Sequence, residues 1–490
     1  MKFDLKKFMS APRLLLIAAF VVFLAASTYK LTESPAVWYD EGMITQTAMN
    51  LSLFGKQVLQ VAPQAFVSAG SVSTGYPLVL PLSISYSLFG VSVLAGRSVM
   101  VLFMLLFLVA SYLFVRKLHG PWFAGLSALT IATLPLFYGN GKSVLGEIPG
   151  LFFLMLSLLS LVSLEKSGYR DTRLYMLSGF LVGLCIVTKP IFFLLLPALA
   201  VTYLLRMRRI SLRWDAVGLG ILALCVPVVV WLGLQFGAGD SISNTLSFYA
   251  NPYEVHDFEE SIFHSIFSNS LLFFTDITPM YTLAAFILWA LTLWMRRKTN
   301  STSAGELAAF AFCAIVLLSF LRLPGWYRYL FPATIVELLF LPYATVEVYA
   351  LLAGRLQFLK KARWVPFAVL AVLFAGQTYQ LTRGSYVASY YASHRTKDLV
   401  EAFAAIPAQN SIFAYNVPEV VPFLPPHPYY QYLYPHEGGT SIGEDELQIL
   451  ASGGADFVMI EKSYYQSHKE LFSMYDGGTQ INRYLLLRRL

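Results

Sequence analysis

Trp38-Tyr39-Asp40-Glu41-Gly42 places two carboxylates side by side just past an apolar run near residues 13 to 29. In so greasy a chain, an acidic pair at the end of a hydrophobic run marks the boundary between lipid and water. There it can take a proton or hold a divalent cation beside a membrane-borne substrate. The remaining composition supports that setting. Of 490 residues, 57% are hydrophobic and only 13% charged, with a mean hydropathy of +0.61, which excludes an ordinary soluble protein. The formal charge of +7 does not describe a nucleic-acid face, because the basic residues fall in short clusters between apolar runs. Cys185, Cys225 and Cys313 lie in or beside such runs without metal or disulfide spacing, so neither feature is expected.

A membrane helix needs roughly 20 mainly apolar residues. Suitable runs occur near 13 to 29, 97 to 115, 121 to 138, 149 to 164, 174 to 188, 190 to 205, 215 to 235, 278 to 295, 306 to 322, 330 to 351 and 364 to 381. The chain therefore reads as an α-helical polytopic membrane protein with about eleven transmembrane helices. Lys6-Lys7 and Ala25-Ala26-Ser27 give the first run some likeness to a cleaved signal, but the charge pattern favours its retention. With the amino terminus in the cytoplasm, inner loops carry twenty Lys and Arg residues and outer loops between spans carry seven: Lys30, Lys56, Arg97, Lys142, Lys189, Arg322 and Arg328. Each of those seven needs a reason to be there.

Two units follow. Residues 1 to 381 form the membrane unit, with a long first outer loop at 30 to 96. Gly75-Tyr76-Pro77-Leu78 through Leu88-Phe89-Gly90 reads as a helix along the membrane surface, since counting it as a span would invert every later loop. A second surface helix begins at Asp40, with Ile44, Ala48 and Leu51 on one side and Thr45, Gln46 and Asn50 on the other. Residues 382 to 490 hold no spanning run and read as an extracytoplasmic α/β domain. Ser411 to Tyr415 and Asp456 to Ile460 are its expected strands and Glu444 to Ala451 a helix between them. No inverted repeat of the transporter kind is visible.

Three further charges, Glu147, Lys189 and Arg328, join the Asp40-Glu41 pair on the expected outer side. Adjacent residues on a helix point roughly 100° apart, so Asp40 is the candidate active carboxylate and Glu41 its support or second ligand; helix capping is the plainer alternative for both. Glu147, in Ser143-Val144-Leu145-Gly146-Glu147, is a second outer acid or else a first-turn residue before Pro149. Lys189 interrupts an apolar stretch at Thr188-Lys189-Pro190, and Arg328 lies in Trp326-Tyr327-Arg328-Tyr329 among aromatic residues. Snorkelling and interface anchoring are their plainer uses. Together, acids for an incoming hydroxyl and cations for a phosphate leaving group fit one task.

In order along the chain, the Asp40-Glu41 pair, the Gly75-Tyr76-Pro77 to Leu88-Phe89-Gly90 segment, Arg97, Glu147, Thr188-Lys189 and Arg328-Tyr329-Leu330-Phe331-Pro332 resemble the family C (GT-C) integral-membrane glycosyltransferases. They are most similar to the branch of protein O-mannosyltransferases and lipid A aminoarabinose transferases, over roughly residues 10 to 350. The resemblance implies a polyprenyl-phosphate-sugar donor, inverting transfer and an active site between the first outer loop and the membrane. Carried over by position, it makes Asp40 the catalytic carboxylate, with Glu41 and Glu147 as further acids, and Lys189, Arg328 and Arg97 the phosphate-contacting cations. Tyr39 and Tyr76 become acceptor or surface-helix contacts. Two departures stand out: the second acid is Glu where many relatives have Asp, and Gly75-Tyr76-Pro77 stands where many have His or Lys with paired prolines.

The expected activity is transfer of one sugar from a polyprenyl phosphate to a lipid, glycan or protein acceptor on the outer face of a plasma membrane. No cofactor is certain; acids alone suit a reaction with or without a divalent metal, for which Asp40 and Glu147 are the candidates. His256, Glu260 and His264, in the outer segment 236 to 277, are weaker ones through their helical spacing. His427, His436 and His468 read as surface residues. A flippase or transporter of lipid-linked sugars, or an O-antigen ligase or polymerase, remains the alternative. Transport predicts charges and broken helices near the middle of the spans, whereas the polar candidates here gather at one mouth.

Overall fold

The computed structural model describes residues 11–70, 72–207, 212–236, 262–297, 302–424, 427–434 and 441–490. Its helical part begins with α1 (Ala11–Thr28), α2 (Tyr39–Phe54), a hairpin of β1 (Val58–Ala62) and β2 (Ala65–Ser68), and α3 (Tyr76–Phe89). It continues through α4 (Val93–His119), α5 (Pro121–Thr133), α6 (Pro135–Gly141), α7 (Glu147–Lys166), α8 (Thr172–Thr188) and, after a short 3-10 turn at Pro190–Leu194, α9 (Leu195–Arg206). Then come α10 (Trp214–Phe236), α11 (Ile262–Thr275), α12 (Ile277–Arg296), α13 (Ala304–Phe320), α14 (Tyr327–Arg355), α15 (Gln357–Lys361) and α16 (Val365–Tyr379).

All eleven expected spans fall on helices. Among the described residues, six helices are long and apolar enough to cross a membrane, or seven if α5 and α6, bent by 64° at Leu134, make one span. Pro135 accounts for the break, because a proline pushes the residue before it out of helical backbone, and Leu134 is extended with ψ 117°. The other four expected spans are helices of at most 18 residues, at most about 27 Å long and at the short end of the spanning range. The chain is a multi-pass membrane protein. Two elements were not foreseen: the β1–β2 hairpin, and α11 inside the segment expected to be an outer loop.

The chain after α16 passes through α17 (Tyr386–Ser389) and α18 (Arg395–Ala404) into β3 (Ile412–Tyr415), β4 (Tyr429–Tyr432), α19 (Leu447–Ala451), β5 (Phe457–Glu461), α20 (Lys462–Ser467), β6 (Tyr475–Ile481) and β7 (Tyr484–Arg489). The five strands lie in the order β4-β3-β5-β7-β6. β4, β3 and β5 run parallel, with Phe413 opposite Tyr430 and Val458. β5-β7 and β7-β6 are antiparallel. The two anticipated strands are the apolar, fully covered inner ones, which is why they were legible. β6, with Gly477-Gly478 at its bulge, has no such signature.

How α2 is used departs from expectation. Its polar side does not face water: Thr45, Gln46 and Asn50 are buried along with Ile44 and Ala48. Gln46 Nε2 donates to the Tyr429 hydroxyl at 2.9 Å and to Gln431 Oε1 at 3.5 Å, and Asn50 Nδ2 donates to the Val58 carbonyl at 2.9 Å. The second face of the helix is thus matched by strand β4 and the hairpin, and the polar residues satisfy each other in place of solvent. A clamp on the other side completes the join. Glu33 accepts from the Thr396 and Lys397 amides at the start of α18, where a carboxylate complements the helix dipole, and Ser34 Oγ donates to the Val387 carbonyl at 2.6 Å. Residues 33–50 and the carboxyl-terminal part are therefore woven together. His427 is buried rather than on the surface, its Nε2 at 3.3 Å from the Phe403 carbonyl, because it lies between α18 and β4; His436 is outside the described residues.

Candidate active site

Asp40 is the second residue of α2, after Trp38 ends the extended approach with ψ 154°. Its Oδ2 accepts from Arg328 Nη1 at 2.7 Å, and neither side chain is sealed, at 33% and 25% exposure. Arg328 opens α14 and is held from three sides. Trp326 and Tyr329 place their rings 4.8 and 5.1 Å from its guanidinium carbon, and Nη2 donates to the Tyr329 hydroxyl at 3.0 Å. Its Nε, though buried, has no acceptor.

Glu147 heads α7 and lies 3.3 Å from Lys189 Nζ. Lys189 does not snorkel to an interface; its side chain is 12% exposed. Pro190 forces it into extended backbone, φ −155° and ψ 138°, which ends α8 and turns the side chain inward. Gly75 seats the start of α3 on this corner: its amide donates to the Thr188 carbonyl at 3.1 Å, and a Cβ there would fall 2.0 Å from the Val187 oxygen. Thr74 Oγ1 and Glu147 Oε2 are buried without partners. Arg328 is also within electrostatic reach of Glu147, so the two ion pairs form one alternating cluster. Three of its buried polar atoms still have hydrogen-bonding capacity, which in a native protein calls for a reason.

Glu41 and Arg97 do not join it. Expected as a catalytic acid and a phosphate cation, they instead form a sealed pair, 3% and 0% exposed, with Arg97 Nε to Oε1 at 2.8 Å and Nη2 to Oε2 at 2.9 Å. The Glu41 oxygens also accept from the Val144 and Trp38 amides, each at 3.2 Å, and Arg97 Nη1 donates to the Leu31 and Pro35 carbonyls. With nearly all its capacity spent on protein, the pair ties α2 to α4, to residues 31–35 and to the turn before α7. It can position Asp40 but has nothing left for a phosphate.

Tyr39 faces the other way, its hydroxyl 3.3 Å from Asn416 Oδ1. Burial first, then the carboxylates of Glu419 and Asp40, push its phenol well above the usual tyrosine range, so it is a neutral hydroxyl. Tyr76 is partly buried against the main core at the head of α3. Among the described residues no three His, Cys, Asp or Glu side chains gather as a metal site. Asp40 and Glu147 each face a cation. His264 is on exposed α11 surface, and His256 and Glu260 are outside the described residues. Thr74 was missed in sequence; only its position before the Gly75 corner sets it apart.

The architecture, a long helical bundle with residues 33–50 clamped against a small α/β unit, is a fold of the GT-C kind. Residues 77–231 match the family described as dolichyl-phosphate-mannose-protein mannosyltransferase. ArnT from Cupriavidus metallidurans bound to undecaprenyl phosphate superposes with a TM-score of 0.65 at 15% identity, covering 97% of each chain. The Archaeoglobus fulgidus oligosaccharyltransferase AglB, in complex with an inhibitory peptide and a dolichol-phosphate, gives 0.55 at 13% identity, over 97% of this chain and 73% of that one. A search of curated proteins finds no match.

Proposed function

We propose that this protein transfers a sugar, with inversion, from a polyprenyl-phosphate donor to an acceptor hydroxyl on the extracytoplasmic face of a plasma membrane. The observation that carries the reading is the alternating cluster Asp40–Arg328 and Glu147–Lys189, with unpartnered Arg328 Nε, Glu147 Oε2 and Thr74 Oγ1, in a chain of this fold. The acceptor oxygen attacks the anomeric carbon as the bond to the phosphate oxygen breaks, and Asp40 takes the acceptor proton. The leaving phosphate passes from a diester to a monoester and gains one negative charge. Lys189 and the free edge of Arg328 meet that charge as it develops, which is where electrostatic stabilisation acts on the rate. Glu147 holds Lys189 in place and can accept from an acceptor hydroxyl. The basic residues favour a cytoplasmic amino terminus, with residues 1 to 381 as the membrane unit and 382 to 490 as the outer one.

Among the described residues two features fit transport instead, one of them the break of 64° between α5 and α6. Glu337, between Pro332 and Pro342 in α14, is fully buried with both carboxyl oxygens unpartnered, and an acid within a span is a functional candidate. Incubation of membranes with radiolabelled polyprenyl-phosphate sugars separates the readings. Transfer by the native protein that disappears in Asp40→Asn, with or without a chelator, supports the enzyme. Movement of lipid-linked sugar across the bilayer with no transfer overturns it.

A further inference from the structure

A second cavity, of about 360 Å³, lies between residues 36–39 and the carboxyl-terminal sheet, lined by Trp38, Tyr39, Tyr390, Tyr464, Glu419 and Arg483 among others. We infer that it is a binding subsite for a neutral, hydroxyl-rich ligand of the saccharide class, held next to Asp40 as part of the acceptor. The inference rests on the glycosyl-transfer reading and adds the chemical class of the second substrate.

Size comes first. The volume is near the lower limit of small-molecule pockets, enough for one or two sugar rings and too small for a lipid. Charge comes next. Arg395 and Arg483 are balanced by Glu419 and Glu461 in the lining, so the cavity carries no net charge, as suits an uncharged ligand. Its polar groups are planar carboxylates and guanidinium groups, which pair with neighbouring hydroxyls two at a time. Its walls are aromatic: Trp38 is exposed, and Tyr390 carries the Arg395 guanidinium 5.0 Å from its ring centre. Flat rings of this kind cover the apolar face of a pyranose at little entropic cost.

Glu419 shows an unfilled need. Its side chain is 3% exposed, and Oε1 accepts from Arg483 Nη2 at 2.5 Å and from the Tyr484 hydroxyl at 2.8 Å, while Oε2 has no partner. A hydroxyl donor entering the cavity would supply one. Burial raises the Glu419 carboxyl above its ordinary range against the opposing pull of Arg483. Position completes the case. Tyr39 forms the wall and Asp40 is the next residue, about 3.8 Å away between Cα atoms. Asn416, in left-handed backbone at φ 53°, fixes that wall by accepting from Tyr39 and from the Tyr434 amide at 3.1 Å. Asp40 does not itself line the cavity, so a sugar seated here is a binding unit of the acceptor rather than the unit that reacts.

The test uses the full chain in nanodiscs prepared without glycoside detergent, probed by saturation-transfer NMR with methyl glycosides of glucose, galactose, mannose and N-acetylglucosamine, and with a tripeptide as comparison. At least one glycoside should receive saturation, and the signal should fall about fivefold or more in Tyr390→Ala and in Arg483→Ala, as loss of one stacked ring or charged hydrogen bond implies. Undecaprenyl phosphate binding, followed by thermal shift, should be unchanged in both variants, which also reports that they fold. No glycoside signal, an equal signal in the variants, or binding of the tripeptide alone overturns the inference. If the native protein binds glycosides here but neither binds undecaprenyl phosphate nor transfers sugar, the transfer reading fails while the subsite stands.

Discussion

Asp40 and Glu41 share a peptide bond and lead opposite lives. Asp40 meets Arg328 across a partly open cleft, with a neighbouring pair at Glu147 and Lys189 and buried polar atoms left to satisfy. Glu41 meets Arg97 in a sealed interior where four hydrogen bonds fill both its oxygens. The helical turn of roughly 100° between neighbours sends one acid to the cleft and the other to the core. The difference teaches how the site is held: an open cluster able to exchange partners is built on a closed cluster that cannot.

Removing the open carboxylate should have the largest effect on turnover. Asp40→Asn keeps the shape and loses the base, so turnover should drop by about 10² to 10⁴, with a melting temperature near that of the native protein. Normal turnover in this variant would reassign the base. Cutting the closed pair should do the reverse. Arg97→Ala leaves Glu41 buried and unpaired, a change that costs about 3–5 kcal/mol, so it should show as lost thermal stability and poor yield. A stable, correctly folded Arg97→Ala protein with weakened donor binding would return Arg97 to the phosphate site.

That division also marks what the sequence made legible. Spans, the helix at Tyr76–Phe89, the inner strands at 412 and 457 and the isolated charges at Asp40, Glu147, Lys189 and Arg328 each carry a local signature in hydrophobicity or in a charge where none is expected. The pairing of Glu41 with Arg97 does not, because it joins residues 56 apart in the chain and either member looks the same alone whether it faces a core or a ligand. The burial of Gln46 and Asn50 is hidden for a related reason. An amphipathic helix under a polar strand has the same pattern as one facing water. Glu419 and Arg483 escaped notice because they meet only through the fold of the carboxyl-terminal sheet.

Two smaller effects test the join between the regions. A Cβ at Gly42 would fall 2.2 Å from the Pro418 carbonyl oxygen, with backbone rather than a flexible side chain in the way. Gly42→Ala should therefore cost about 1–3 kcal/mol, the range for overpacking, and should raise the acceptor KM more than the donor KM. An unchanged melting temperature would mean that the contact between α2 and residues 418 to 423 is looser in solution. Lys189→Gln keeps a donor and removes the charge. Donor affinity should weaken by about tenfold, as for loss of one charge-assisted bond, in titrations with undecaprenyl phosphate. Affinity equal to native would leave Arg328 as the only cation needed.

The smallest effect concerns Lys142, in the turn between α6 and α7, which shares the sealed region with Arg97 but has no carboxylate of its own. Its Nζ donates to the Tyr29 carbonyl at 2.8 Å and lies 5.9 Å from the Tyr391 ring centre. Burial first, then the Arg97 charge, push its pKa down to about 7, while in the unfolded chain it is near 10.4. Between those values the unfolded chain binds the additional proton, so stability rises with pH across that window. Below about 7 both states are protonated and the full penalty of burying the charge applies. A neutral amine still donates to Tyr29, so nothing is lost on deprotonation. The melting temperature of the native protein should therefore climb between pH 7 and about 9 more steeply than that of Lys142→Met, which has no such proton to release. Parallel curves for the two proteins would mean that Lys142 keeps its charge in the fold, and the sealed region would then tolerate two cations against the single carboxylate of Glu41.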